Sequence, residues 1–210
     1  MKQKLFFTAA FLLLGKIILA QSFEGEIIYN NTYKSKAANF SSEQVKSMIG
    51  GQQEYYIRGG NYKATMNGSV VAAYYYHAKE NKLYTEFQDG SRMYWNDAAV
   101  NNDSVLSFEV KKNAVRILGY NCDELILHTR KGTQIYDFAP QLAVDPSLFV
   151  NHKFGNWYDY LKIARAIPLR MIVEQDQVII TSEALAVKPA KLSDDYFVLP
   201  AVDEIVKSPY

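Results

Sequence analysis

One cysteine and three histidines are the residues of this 210-residue chain best suited to nucleophilic, redox or metal chemistry, and their placement argues against all three. Cys122 has no histidine or basic residue near it in sequence to depress its thiol pKa, and a single cysteine closes no internal disulfide. Such a thiol behaves as a small hydrophobe, so Cys122 is expected in the core. His77, His128 and His152 fall on separate elements, without the short paired spacing that marks a metal site. The carboxylates of Asp123-Glu124 and Asp194-Asp195 are adjacent. Neighbours on a strand point to opposite faces, which makes them poor partners as general acid and base on one substrate. No nucleophile elbow, phosphate-cradling glycine loop or dinucleotide fingerprint occurs. The expectation is a protein that is not an enzyme, with no cofactor and no metal.

The remaining constellation is aromatic. Sixteen tyrosines and eleven phenylalanines include Tyr55-Tyr56, Tyr74-Tyr75-Tyr76, Tyr94-Trp95 and Trp157-Tyr158. They could line an apolar pocket, stack on sugar rings, or simply pack a sheet, since aromatic side chains suit a pleated, half-buried surface. On a strand, alternate members of Tyr74 to Tyr76 face opposite sides.

The elements that must position these groups are mostly short strands. Phe23 to Lys34 opens as a strand with Ile27 and Tyr29 on one face and Ile28 and Asn30 on the other. Ser41 and Gln44 form a capping box, with Phe40 and Val45 placed as a hydrophobic staple. The helix they start carries Val45, Met48 and Ile49 as an apolar stripe and ends at Gly50-Gly51. Strands then alternate with turn residues at Gly59-Gly60-Asn61, Asn67-Gly68, Lys79-Glu80-Asn81 and Asp89-Gly90. Connections this short make an antiparallel meander, because parallel neighbours need crossovers of a dozen residues or more. Leu106, Phe108 and Val110 alternate with polar residues, giving that strand one wet face. Val115 to Pro140 reads as two strands joined at Lys131-Gly132. Asp145-Pro146 then caps a helical insert in which Phe154, Trp157, Tyr158 and Leu161 share a face, unless Gly155-Asn156 breaks it. A last hairpin turns at Gln175-Asp176.

Lys2, Lys4, the apolar run Leu5 to Leu14 and Ala20 have the order of a secretory signal peptide cleaved after Ala20. Residues 1–20 are thus expected to be removed, leaving 21–210 as one soluble domain in the periplasm or outside the cell. Charges nearly cancel, at 23 basic against 22 acidic, and no basic stripe suggests nucleic-acid binding.

The segments Phe23 to Gly25, Ile117 to Cys122 (ILGYNC), Ile167 to Leu169 and Phe197 to Pro200 resemble a bacterial exported family of unknown function related to the LolA/LolB-like periplasmic lipoprotein carriers. The chain is also similar to the exported GLPGLI family, whose motif departs here to Ala166-Ile167-Pro168-Leu169-Arg170-Met171-Ile172. The resemblance implies a mainly β fold: a curved antiparallel sheet, an unclosed half-barrel, with helices covering the concave face. It implies an apolar ligand, a lipid or lipoprotein acyl chain, in that concavity. Phe40, Val45, Met48, Ile49, Phe149, Phe154, Trp157 and Leu161 are the expected hydrophobic pocket. A filled core, making an envelope interaction module, and a carbohydrate-binding surface are the alternatives.

Overall fold

A computed structural model describes residues 22–209, so the signal-peptide reading of 1–20 lies outside the described residues. The chain forms one curved, unclosed sheet of twelve strands in the order β12-β6-β5-β4-β3-β2-β1-β11-β10-β9-β8-β7. Its first half is a meander: β1 (Gly25–Ser35), β2 (Gln52–Arg58), β3 (Asn61–Met66), β4 (Val71–His77), β5 (Lys82–Phe87) and β6 (Arg92–Asp97). The second runs β7 (Val105–Ile117), β8 (Tyr120–Thr129), β9 (Thr133–Ala143), β10 (Ala166–Glu174) and β11 (Val178–Pro189), and β11 closes back onto β1.

The connection from β6 to β7 enforces the curvature. These strands lie ten positions apart in the sheet, which in a flat sheet would separate them by roughly 48 Å. Residues 98–104 join them, and even fully extended that stretch reaches only about 28 Å. The sheet must therefore curl until its two ends approach across an open side.

Local signals behave as their chemistry requires. Gly59 and Gly60 make a two-residue turn with φ of 54° and 89°, and Leu118-Gly119 makes another, with φ of 50° and 86°. That second turn splits the segment expected as two strands: Val115 to Ile117 ends β7, and three strands meet there. Pro168 lacks an N–H for the ladder. It sits at a register shift between β10 and β9, before β10 begins to pair with β11 at Arg170. The Tyr29 hydroxyl, reaching over from β1, donates to the Pro168 carbonyl at 2.7 Å.

The core is two-sided. On the concave face Ile27, Tyr29, Ile57, Tyr76, Leu125, Leu127 and Tyr136 pack against the insert between β9 and β10. On the other face Ala73, Tyr75, Tyr84 and Met93 form a smaller cluster under Leu199 and Val202 of the C-terminal tail. The Tyr74 to Tyr76 run thus serves both faces. The tail crosses that second face, with Arg58 bound to Asp194 at 2.7 Å and His77 Nε2 at 2.7 Å from the Phe197 carbonyl. It ends as β12 (Glu204–Lys207), parallel to β6, the one departure among the described residues from an antiparallel sheet. At the opposite end β7 is an uncovered edge. Leu106, Phe108 and Val110 are all exposed, so both faces of that strand are wet, not one.

Helix α1 (Ser42–Ile49) starts with the expected capping box between Ser41 and Gln44. It packs against β1, a central strand of the sheet, held where the Tyr33 hydroxyl donates to the Gly50 carbonyl at 2.8 Å. The β3–β4 loop packs beneath it: Ser69 N–H and Val70 N–H donate to the carbonyls of Ser47 and Met48. A Cβ at Gly68 would lie 2.3 Å from the Ile49 carbonyl carbon, so only glycine fits that approach. No residue of α1 is buried.

The insert between β9 and β10 is the element that enters the concavity. It is a 3₁₀ turn (Pro146–Phe149) capped by Asp145, a second (Phe154–Asn156), and helix α2 (Trp157–Ala164). Gly155 and Asn156 both adopt left-handed φ of 63°, which breaks the helix before Trp157. Phe154 consequently leaves the face it was expected to share. The buried face of α2 is Tyr160, Leu161 and Ala164, with Trp157 half-buried beside them.

Candidate functional site

Between the insert and the concave face lies a cavity of about 370 Å³. Strands β1 to β4 contribute Tyr29, Tyr55, Tyr62 and Tyr74, β5 and β6 contribute Leu83, Thr85 and Asn96, β9 and β10 contribute Tyr136, Pro168 and Met171, and the insert contributes His152, Phe154 and Trp157. The sheet delivers its tyrosines by simple alternation: Tyr55, Tyr62 and Tyr74 fall on the inward positions of β2, β3 and β4, with Tyr62 opposite Tyr76 in register. The walls are ring faces. Tyr62 lies 5.3 Å from both Tyr55 and Tyr76 between centroids, and Trp157 presents an edge to it at 6.4 Å. Deeper in, Tyr136 stacks on Tyr160 at 4.2 Å.

His152 is the hinge of the arrangement. Its Nε2 lies 2.8 Å from the Tyr62 hydroxyl and its ring centroid 4.3 Å from that of Tyr76. Burial holds the imidazole neutral by pushing its pKa down to about 3. Burial likewise pushes the hydroxyls of Tyr55 and Tyr62 well above the ordinary tyrosine value, and Tyr76 up to about 12. None is an activated acid or base near neutrality.

Asn156 fixes the insert over the sheet. The side chain is fully buried, donates to Asp103 Oδ2 at 3.2 Å, and accepts from Asn101 at 2.7 Å. The N–H groups of Lys153 and Phe154 both donate to the Ala98 carbonyl. The crossover segment 98–104 thereby anchors the residues that place Phe154 and Trp157.

Among the described residues three polar atoms of the lining side chains have no partner: the Tyr55 hydroxyl, His152 Nδ1 and the Trp157 indole N–H. Among the described residues no Asp, Glu, Lys or Arg lines the cavity. A larger hollow of about 780 Å³, at the β7 end, differs in kind. Its Lys112 and Asp123 already pair at 2.7 Å, and Asp145 is occupied by the Ser147 N–H.

Of the eight residues expected to form the pocket, Phe154 and Trp157 line the cavity. Phe149 and Leu161 are buried in the core behind it. Phe40, Val45, Met48 and Ile49 do not line it, because α1 packs against β1 and the β3–β4 loop and not under the insert. Phe40 and Met48 are exposed. The sequence reading missed His152, weighed only as a metal ligand, and Tyr62; Tyr55 and Tyr74 were among the aromatics able to line a pocket but were not assigned to it. Strand alternation was the available signal for the tyrosines; nothing local marked the histidine. Cys122 is completely buried, as expected of a core thiol. Among the described residues no group of three or more His, Cys, Asp or Glu is placed to hold a metal ion, and no helix is long and apolar enough to cross a membrane.

No family model and no curated relative matches the chain. Among solved structures it is similar to PNGF-II in a C2 crystal form, at 14% identity and a TM-score of 0.49 over 90% of this chain and 31% of that one. A P21 form of PNGF-II gives 14% identity and a TM-score of 0.48 over 89% of this chain and 32% of that one. The chain therefore spans about a third of the length of those structures.

Proposed function

We propose that this is an exported, non-catalytic protein that binds an apolar ligand in the cavity between the insert and the concave face. A lipid or lipoprotein acyl chain is the form of ligand that the resemblance to the lipoprotein carriers implies. The observation that supports the reading most is the cavity itself: ring-walled, uncharged and about 370 Å³, within the size range of small-molecule sites. A protein serving only as a filled-core interaction module has no use for such a space, since interiors otherwise pack without voids. Binding would draw on hydrocarbon burial, worth about 0.8 kcal/mol per CH₂. The insert, anchored through Asn156, would act as the cover over the ligand.

Native mass spectrometry of the protein purified from its own host's envelope tests this. A co-purifying neutral species released on denaturation is the expected result. An unliganded mass, combined with no uptake of a neutral apolar dye, would overturn it.

A further inference from the structure

We infer that the occupant of this cavity is a compact, neutral ring compound carrying a hydrogen-bonding oxygen, not a flexible acyl chain; the inference rests on the binding reading above and narrows its ligand. Volume sets the size. At roughly 30 Å³ for each water-sized group, 370 Å³ holds about a dozen such groups. That space, which is half open, seats a fused two-ring skeleton whole but only part of a lipid with two or three acyl chains.

The walls set the shape. Among the lining rings Tyr62 lies 5.3 Å from Tyr55 and 5.8 Å from His152 between centroids, Trp157 stands edge-on to Tyr62, and Tyr74, Tyr136 and Phe154 complete the aromatic wall. A rigid planar skeleton meets such faces in offset or edge-on contact without losing torsional freedom. A saturated chain gains only its area and must freeze several torsions to fit.

The polar atoms set the functional group. Tyr55 is only 7% exposed and its hydroxyl has no partner; His152 Nδ1 and the Trp157 N–H are likewise buried and unpartnered, and the indole can only donate. These atoms are already shut off from water with their hydrogen bonds unmade, and a pure hydrocarbon would leave them so. A carbonyl, hydroxyl or ether oxygen on the ring could accept from the Tyr55 hydroxyl or the indole, and Gln53, Thr85 and Asn96 offer further polar partners on the wall. The absence of Asp, Glu, Lys and Arg from the wall excludes a charged group, whose burial nothing would offset.

Equilibrium dialysis of the intact protein against 2-naphthol, naphthalene and decan-1-ol separates these features, the alcohol being matched to 2-naphthol in non-hydrogen atoms. 2-Naphthol should bind about ten-fold more tightly than naphthalene, and at least as tightly as the more hydrophobic decan-1-ol. Tyr55→Phe should weaken 2-naphthol by several-fold and leave naphthalene unchanged or tighter. Trp157→Phe, which removes the N–H and keeps a ring, supplies the same comparison should Tyr55→Phe fail to fold. Tighter binding of decan-1-ol than of 2-naphthol would overturn the ring assignment while leaving the apolar-binding reading in place. Equal binding of naphthalene and 2-naphthol would overturn the oxygen. Retention of no probe would overturn both the inference and the reading beneath it.

Discussion

The Tyr62 hydroxyl lies 2.8 Å from His152 Nε2, joining β3 to an insert that follows it by 90 residues in sequence. This contact, made inside the aromatic wall, ties the cover of the cavity to its floor.

Burial of His152 makes stability depend on pH. The folded His152 pKa is depressed to about 3, below the ordinary histidine value near 6.5. Between those values the unfolded chain binds a proton that the folded chain does not. The contribution is therefore complete above about pH 6.5 and is lost as pH falls towards 3. Its ceiling is on the order of 5 kcal/mol. Denaturation midpoints measured from pH 7 to pH 4 should fall more steeply for the native protein than for His152→Gln. Parallel curves would remove this residue as the cause.

Trp157 and Met48 give opposite expectations for ligand uptake. Trp157→Ala should abolish binding of a neutral apolar dye while the far-ultraviolet circular dichroism stays β-rich, because the indole lines the cavity. Met48→Ala should leave dye binding unchanged, because Met48 sits exposed on α1. A loss with Met48→Ala would return α1 to the binding site.

Cys122 should resist modification. It is completely buried, and burial raises its thiol pKa. A maleimide should label it only after denaturation; rapid labelling of the native protein would show that the β8 end of the core opens.

Two glycines should respond differently to alanine. Gly68→Ala drives a methyl group onto the backbone of Ile49 and Met48, whose nearest atoms would lie 2.3 and 2.4 Å away, and should cost about 1–3 kcal/mol. Gly90 has open space around it and φ of 65°, so Gly90→Ala carries only the left-handed backbone cost, roughly 1 kcal/mol. Urea denaturation of both variants reads the difference.

Phe108 is exposed on the uncovered face of edge strand β7. Phe108→Ser should change unfolding free energy by less than about 0.5 kcal/mol, because little burial is lost. A larger loss would mean that something covers this strand in solution.

Much of the fold was legible in the chain itself. Turn glycines, the Ser41–Gln44 capping box and the Asp145-Pro146 start are short-range chemistry, decided by residues within four positions of one another, and they stand where their types require. Strand alternation likewise announced which tyrosines share a face, although it could not say which face would be covered on both sides. What tertiary structure alone decided was which helical element enters the concavity. Both carry an apolar stripe, and a stripe does not specify its partner. The choice falls to connection geometry: α1 is tied to β1 and the β3–β4 loop, whereas the crossover 98–104 receives Asn156 and seats the second insert against Tyr62 and Tyr76. The cavity is equally non-local, since its wall draws residues from β1 to β6, β9, β10 and the insert. Sequence sets the residue types that can face inward; only the closing of β11 onto β1 brings those faces together around one space.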